Sequence, residues 1–264
     1  MSNPQNTSNP NLPNPELHKF LQYPKFALYS VQISQMNMLD TLAWLTQAID
    51  ERRLTQVITA NPIMLMAALA KPKYMEMMRR AELIVPDGTG IVWAAKYLGQ
   101  PVVEKIAGIE LLQQLLNVGE TKGWRVFLLG ASPETIEITA DKLKKRYPLI
   151  QFVGVRDGYF SPEEDNQVIQ QIREAAPDIL FVGRSADNQD TWIDRYKEQL
   201  QVPVMMGIGG SFDVLSGKLK RAPKWFIRFH LEWFYRLLQE PWRYRRMLLL
   251  PQFVLRVMKD KGKL

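Results

Sequence analysis

The residues best suited to chemistry sit at 81–99, AELIVPDGTGIVWAAKYLG, where Pro86-Asp87-Gly88-Thr89-Gly90 joins a short apolar strand to an amphipathic helix. A carboxylate on such a turn can take a proton from a bound hydroxyl or orient a ligand. In α/β proteins these turns lie outside the carboxyl ends of the strands, where ligands bind. The glycines allow close backbone approach, and free N–H groups at the helix start suit an anion. An Asp here also suits a plain helix cap or turn, and the segment alone leaves both roles open. A second turn, Gly207-Ile208-Gly209-Gly210-Ser211-Phe212-Asp213, has the make-up of a diphosphate cradle, although such a turn often serves geometry alone. Neither G-x-G-x-x-G after a strand nor G-x-x-x-x-G-K-[ST] occurs, which removes the standard dinucleotide and P-loop readings.

Other chemistries are excluded by composition. The chain of 264 residues has no cysteine, so disulfides, thiolate nucleophiles and cysteine-ligated zinc are out. Its two histidines, His18 and His230, fall in an Asn/Pro-rich leader and a basic aromatic segment. Proton transfer therefore falls to Asp or Glu. No Asp-x-Asp pair lies in a loop, and neither a metal nor a cofactor is expected.

The elements that must position these residues alternate between strand and helix. Strands are predicted over 56–59, 83–85, 125–129, 150–155, 178–182 and 202–208. Helices are predicted from Pro62, with Asn61 as N-cap, over 106–121, from Ser132-Pro133 to about 146, from Ser161-Pro162 to before Pro177, and from about 189 to 200. Uniformly apolar strands separated by helices imply an α/β fold, a Rossmann-like parallel sheet with helices on both faces, over residues 25–217. The polar loops carrying Thr59, Asn61, Asp87, Ser132, Asp157, Arg184–Asp190, Ser211 and Asp213 then share one sheet edge. Residues 1–24 lack an apolar signal core and are expected to be a disordered leader. No apolar run is long enough to span a membrane.

Residues 218–264 differ from the rest. They hold 13 Lys/Arg and 3 Asp/Glu, a net of +10 in a chain of +7, so residues 1–217 carry −3. Trp225, Trp233 and Trp242 fall among these basic residues, and the spacing predicts short amphipathic helices broken by Pro241 and Pro251. This basic helical appendage suits an anionic membrane surface. An apolar face packed on the core with solvated arginines would give the same pattern. The acidic remainder and the lack of a nucleic-acid motif argue against a nucleic-acid partner.

In combination the pieces are specific. Thr59-x-Asn61, Pro86-Asp87-Gly88-Thr89-Gly90, Glu104-Lys105-Ile106-Ala107-Gly108-Ile109-Glu110-Leu111, Phe127-Leu128-Leu129-Gly130 and Asp157-Gly158-Tyr159-Phe160 come in that order. Pro177-Asp178-Ile179-Leu180-Phe181-Val182-Gly183, Gly209-Gly210-Ser211-Phe212-Asp213-Val214-Leu215-Ser216-Gly217 and Arg221-Ala222-Pro223 follow. Leu231-Glu232-Trp233-Phe234-Tyr235-Arg236-Leu237 and Glu240-Pro241-x-Arg243 come last. The chain thereby resembles the WecG/TagA/CpsF family of bacterial glycosyltransferases over roughly residues 26–250.

The resemblance implies an inverting, metal-independent transfer of an N-acetylmannosamine-like sugar. The donor would be a UDP-sugar and the acceptor a polyprenyl-diphosphate-linked sugar at the cytoplasmic membrane face. It implies Asp87 as general base, Thr59 as the active-site threonine and Arg221 as the arginine meeting the diphosphate. Substrate contacts are expected from Asn61, Gly88, Arg184, Gln189, Gly209, Gly210, Asp213 and Arg221. Self-association into a homo-oligomer stays open.

One loop departs from the family pattern, Gly-x-Pro-Lys-Gln-Glu-x-Trp-Ile after the Val-Gly strand end. Here residues 183–193 read GRSADNQDTWI, with Asp187, Asn188 and Asp190 at the Pro, Lys and Glu positions. Loss of a lysine beside a phosphate would weaken donor binding by about 1–3 kcal/mol unless Arg184 replaces the charge. The alternative is a catalytically impaired relative that binds nucleotide-sugar or lipid and acts through interaction.

Overall fold

A computed structural model describes residues 23–229 and 231–263. The expected leader, with His18, falls outside the described residues except for Tyr23 and Pro24, and so does His230. Tyr23 is anchored, its hydroxyl donating to the Glu82 carbonyl at 2.8 Å.

The chain begins with an antiparallel hairpin, β1 (Lys25–Leu28) and β2 (Val31–Ser34). Helix α1 (Met38–Asp50) leads to β3 (Thr55–Ala60), then α2 (Pro62–Ala70), α3 (Pro72–Arg80) and β4 (Leu83–Pro86). Next come α4 (Thr89–Tyr97), α5 (Gly108–Lys122), β5 (Arg125–Gly130), α6 (Pro133–Arg146) and β6 (Gln151–Arg156). Helix α7 (Asp165–Ala175), β7 (Ile179–Gly183), α8 (Ala186–Leu200), β8 (Val204–Gly207) and α9 (Ser211–Ser216) complete the α/β part. Six strands form one sheet in the order β4-β3-β8-β7-β5-β6, with every pair parallel. The α/β fold with helices on both faces is as expected.

The sheet explains its own composition. Val57, Leu83, Val85, Val126, Leu128, Ile179, Phe181, Val204 and Met206 pack into one core with α1, α5 and α6. Their neighbours Ile58, Ile84, Phe127, Leu180 and Met205 point to the other face, into two further clusters. Alternate side chains point to opposite faces, so burying both faces demands apolar residues at every position.

Several boundaries differ from those predicted. The run opened by Pro62 is two helices, because Lys71 precedes Pro72 and is held extended at φ −129° and ψ 99°. Helix α8 begins at Ala186, three residues ahead of the predicted start. After α9 the chain forms α10 (Lys224–Arg228), α11 (Glu232–Gln239), a 3-10 turn at Pro241–Arg243, α12 (Tyr244–Met247) and α13 (Leu249–Asp260). Pro241 ends a helix as expected, but Pro251 does not break one. It lies in the first turn of α13, where backbone N–H groups have no acceptor within the helix, so its ring is tolerated.

The C-terminal segment divides energetically. Helix α11 has no buried residue, whereas Phe253 and Val257 of α13 are fully buried beside the hairpin and α2 to α4. Phe253→Ala should therefore cost about 3–5 kcal/mol of global stability, measured by urea denaturation. A loss below about 1 kcal/mol would show that α13 is not part of the cooperative core.

Candidate active site

All the loops after β3 to β8 open on the carboxyl edge of the sheet, and the C-terminal segment arches over it. They enclose a cleft of about 1060 Å³. Thr59, Asn61, Asp87, Gly88, Arg184, Gln189, Gly209, Gly210, Asp213 and Arg221, all singled out from the sequence, line this one cleft.

Asp87 is set by backbone. Its N–H donates to the Ala60 carbonyl at 2.8 Å, continuing the β3–β4 ladder by one residue. Gly88 then turns at φ +86°, a conformation that disfavours any residue with a Cβ. Gly90 is needed for space, since a Cβ there would stand 2.5 Å from Pro62 Cγ. The Asp87 carboxyl, partly exposed to the cleft, accepts the Gly108 N–H at the start of α5 at 3.4 Å. Gly108 has no side chain because Thr59 occupies the space: a Cβ would lie 3.1 Å from Thr59 Oγ1. Thr59, Gly108 and Asp87 thus converge at one point.

Enclosure pushes the Asp87 carboxyl up to about 6; Lys105 and the Gly108 N–H oppose that rise, while Glu232 and Glu110 add to it. Lys105 is itself drawn to the C-terminal segment, with Nζ 2.5 Å from Glu232 Oε2. Arg221 pairs with Glu110 on α5. Two ion pairs therefore tie the C-terminal segment across the mouth of the Asp87 site.

The glycine-rich turn after β8 is less open than expected. The Gly209 N–H donates to Gln189 Oε1 at 2.8 Å, and the Ser211 N–H to the Ile208 carbonyl at 3.2 Å. Two of its amides are thus used internally, and Gln189 braces the turn from beneath. Asn61 Oδ1 likewise serves as the α2 cap, accepting from Met64 N at 3.1 Å. Besides Arg184 and Arg221, positive charge comes from groups that sequence reasoning did not select. Arg236 lies over Gly210, where a Cβ would meet its Nη2 at 2.3 Å. Glu240 holds both Arg236 (2.9 Å) and Arg243 (3.1 Å) on the cleft wall. The quoted Leu-Glu-Trp-Phe-Tyr-Arg-Leu and Glu-Pro-x-Arg motifs contained these residues, but helical spacing alone could not aim them. Asp190 is buried behind the turn, and burial raises its carboxyl to about 7. Among the described residues no group of three or more His, Asp or Glu side chains is arranged to hold a metal ion.

The cleft thus separates two tasks, with a carboxylate fit to take a proton at one edge and guanidinium groups fit to hold an anion over its centre. That is the layout of an α/β enzyme that moves a group off a phosphorylated donor. The model of the glycosyl transferase WecG/TagA/CpsF family matches residues 26–264, and the chain belongs to that family of glycosyltransferases.

The chain is similar to an N-acetylglucosaminyldiphosphoundecaprenol N-acetyl-beta-D-mannosaminyltransferase of Bacillus spizizenii, 40% identical over 216 residues, 82% of this chain and 83% of the relative. Proteins of the same name are 35% identical in Bacillus subtilis, covering 89% of this chain and 91% of the relative. In Staphylococcus aureus one is 38% identical, covering 79% and 81% respectively.

The raised Asp87 value has a stability consequence. The folded state holds this proton more tightly than the unfolded chain, so the group's contribution is full below about 3.9 and is lost as pH rises through about 6. Asp87→Asn should therefore be more stable than the wild type by about 1–3 kcal/mol at pH 8, with the gain vanishing near pH 4. Urea denaturation at both pH values checks this, and a destabilised variant at pH 8 would contradict it.

Proposed function

We propose that this chain transfers an N-acetylmannosamine-like sugar from a UDP donor to a polyprenyl-diphosphate-linked acceptor, with inversion, in the synthesis of a cell-surface polysaccharide. The reading rests on one observation above all: Asp87 and the C-terminal arginines face the same cleft. The relatives' names supply the sugar and the lipid-linked acceptor.

The ionised Asp87 carboxylate accepts the proton of the acceptor hydroxyl as its oxygen bonds to the anomeric carbon. On the opposite side of that carbon the bond to the donor's diphosphate oxygen breaks, and the electron pair leaves with the diphosphate. Arg236 and Arg243, with Arg221 once released from Glu110, stabilise this developing charge by charge-assisted hydrogen bonds. Thr59, packed on Gly108 beside the carboxyl, is the neighbour suited to orienting the acceptor.

The same segment suits the surface that carries a lipid-linked acceptor. Trp225, Phe229 and Trp242 are 57%, 66% and 70% exposed, beside Arg228, Arg245 and Arg246. Aromatic and basic side chains on short helices favour a membrane interface with anionic lipid. Among the described residues no helix is long and apolar enough to cross a membrane. The proposed location is therefore peripheral, at the cytoplasmic face of the cell membrane.

Transfer from UDP-N-acetylmannosamine to a short-chain lipid-diphosphate acceptor should fall by about 10²–10⁴ in Asp87→Asn. For the wild type, kcat/KM should drop as pH falls through about 6, as the base becomes protonated. Unchanged turnover in the variant would assign the base elsewhere. The full chain should also sediment with anionic liposomes, less so at high salt. Replacing Trp225, Phe229 and Trp242 together by Ala should release it, and equal sedimentation would remove the membrane placement.

A further inference from the structure

One ionisable side chain beside the cleft takes no part in the transfer chemistry. Asp190, on α8, lies behind the glycine-rich turn and is 1% exposed. Among the described residues, no donor meets hydrogen-bond geometry with either of its carboxyl oxygens. Its position is nonetheless closely defined. A Cβ on Gly207 would stand 2.2 Å from Asp190 Oδ1 and 2.6 Å from Gln189 Nε2. The carboxyl and the Gln189 amide thus fill the space that a side chain on β8 would need. The backbone is fixed as well, since Gln56 Nε2 on β3 donates to the Asp190 carbonyl at 2.8 Å. Gln189 passes the contact on, its Oε1 accepting the Gly209 N–H. Strand β3, helix α8 and the turn after β8 are joined through two adjacent residues.

No counter-ion accompanies this carboxyl. Strands β8 and β3 and helices α3 and α7 pack against α8, and neither strand carries a charged side chain. The charged groups around that packing are engaged elsewhere. Arg80 of α3 pairs with Asp194 at 2.5 Å, and Lys197 with Glu82 at 2.6 Å. Asp165 of α7 accepts from the Trp192 indole and the Tyr196 hydroxyl. Arg236 faces the turn at Gly210, from the cleft. A carboxylate buried without cation or donor is costly, whereas the neutral acid carries no charge and brings a donor of its own. Gln56 Oε1, also buried and without a donor, is an orphaned acceptor in the same neighbourhood. Burial raises the Asp190 carboxyl to about 7, opposed only by the Gln189 amide.

We infer that Asp190 serves the cleft as a neutral acid behind the diphosphate, so that a bound donor and an ionised Asp190 exclude one another. The inference rests on the nucleotide-sugar reading above and adds a proton to it. Ionisation would set a negative charge behind the turn that faces the donor's diphosphate, where little water screens it. The diphosphate of a nucleotide-sugar keeps its charge across the neutral range, so the repulsion is relieved by protonating Asp190. Donor binding therefore takes up a proton from the buffer onto the carboxylate, and no other bond forms or breaks. By linkage the donor binds less tightly as pH rises through about 7. The base Asp87 has the opposite demand, since it gains its charge as pH rises through about 6. The two carboxyls then set the two limbs of a bell-shaped kcat/KM profile.

Calorimetry of the full chain with UDP-N-acetylmannosamine, in two buffers of different ionisation enthalpy, counts the protons. Asp87→Asn serves as the parent, so that the base contributes none. If binding raises the Asp190 pKa by about one unit, affinity should fall by about fivefold from pH 6 to pH 8, with uptake of about half a proton at pH 7.5. Adding Asp190→Asn should abolish the uptake and hold affinity at pH 8 within about twofold of the parent's value at pH 6. A merely structural role for Asp190 would leave the proton count unmoved. Asp190→Ala stands in if the Asn variant fails to fold, and the parent's own pH dependence is read without either. Donor binding by the parent with no proton uptake and no pH dependence would overturn this inference alone. Uptake that survives both substitutions would place the proton on another group and also overturn it. No donor binding by the wild type at either pH would overturn the nucleotide-sugar reading together with this one.

Discussion

A carboxyl group that is mostly surrounded by protein resists ionisation, yet a base must be ionised to take a proton. Much of the cleft's construction bears on that conflict at Asp87, the proposed base. Burial pushes the group toward the neutral form, and Lys105 together with the Gly108 amide pulls it back, so that it titrates near 6. Asp87 and the Gly108 amide are placed by backbone geometry: the β3–β4 register, the positive φ at Gly88, and the start of α5, brought close because Gly108 leaves Thr59 its space. Such a balance raises the proton affinity of the carboxyl without discarding its charge at neutral pH, as the proposed role of general base requires.

The C-terminal segment enters the same balance. Glu232 draws Lys105, and Arg221 draws Glu110, so the tail is tied to groups that set the potential at Asp87. Neither pair is deeply buried, and as surface contacts each would be worth little alone. Their importance is positional. They hold Arg236 and Arg243 near the glycine-rich turn, whose own amides are partly committed to Gln189 and Ile208. The positive charge of the cleft is thus supplied mainly from outside the α/β sheet.

Much of the sheet could be read from sequence because burial on both faces leaves a run of apolar residues that no exposed strand would carry. The hairpin could not. Its strands are four residues each, and its turn, Tyr29-Ser30, adopts φ of +53° and +66° without the Asn or Gly that usually marks that geometry. The site residues on loops after strands were legible, since the strand ends fix where those loops point. Lys105 and Glu232 stand 127 residues apart, and no local pattern announces their meeting.

The two ends of the described chain share one core. Phe26, Leu28, Val31 and Ile33 of the opening hairpin cluster with Phe253 and Val257 of α13, and the Tyr29 hydroxyl reaches Asp260 Oδ2 at 3.4 Å. A polypeptide emerges from the ribosome from its N-terminus onward, so the hairpin can settle against β4 and α3 while later elements are still being made, whereas the places of Phe253 and Val257 in this cluster stay open until α13 has been released. The core beneath the hairpin is therefore assembled in two stages, first by neighbours in the chain and then by a segment from far along it.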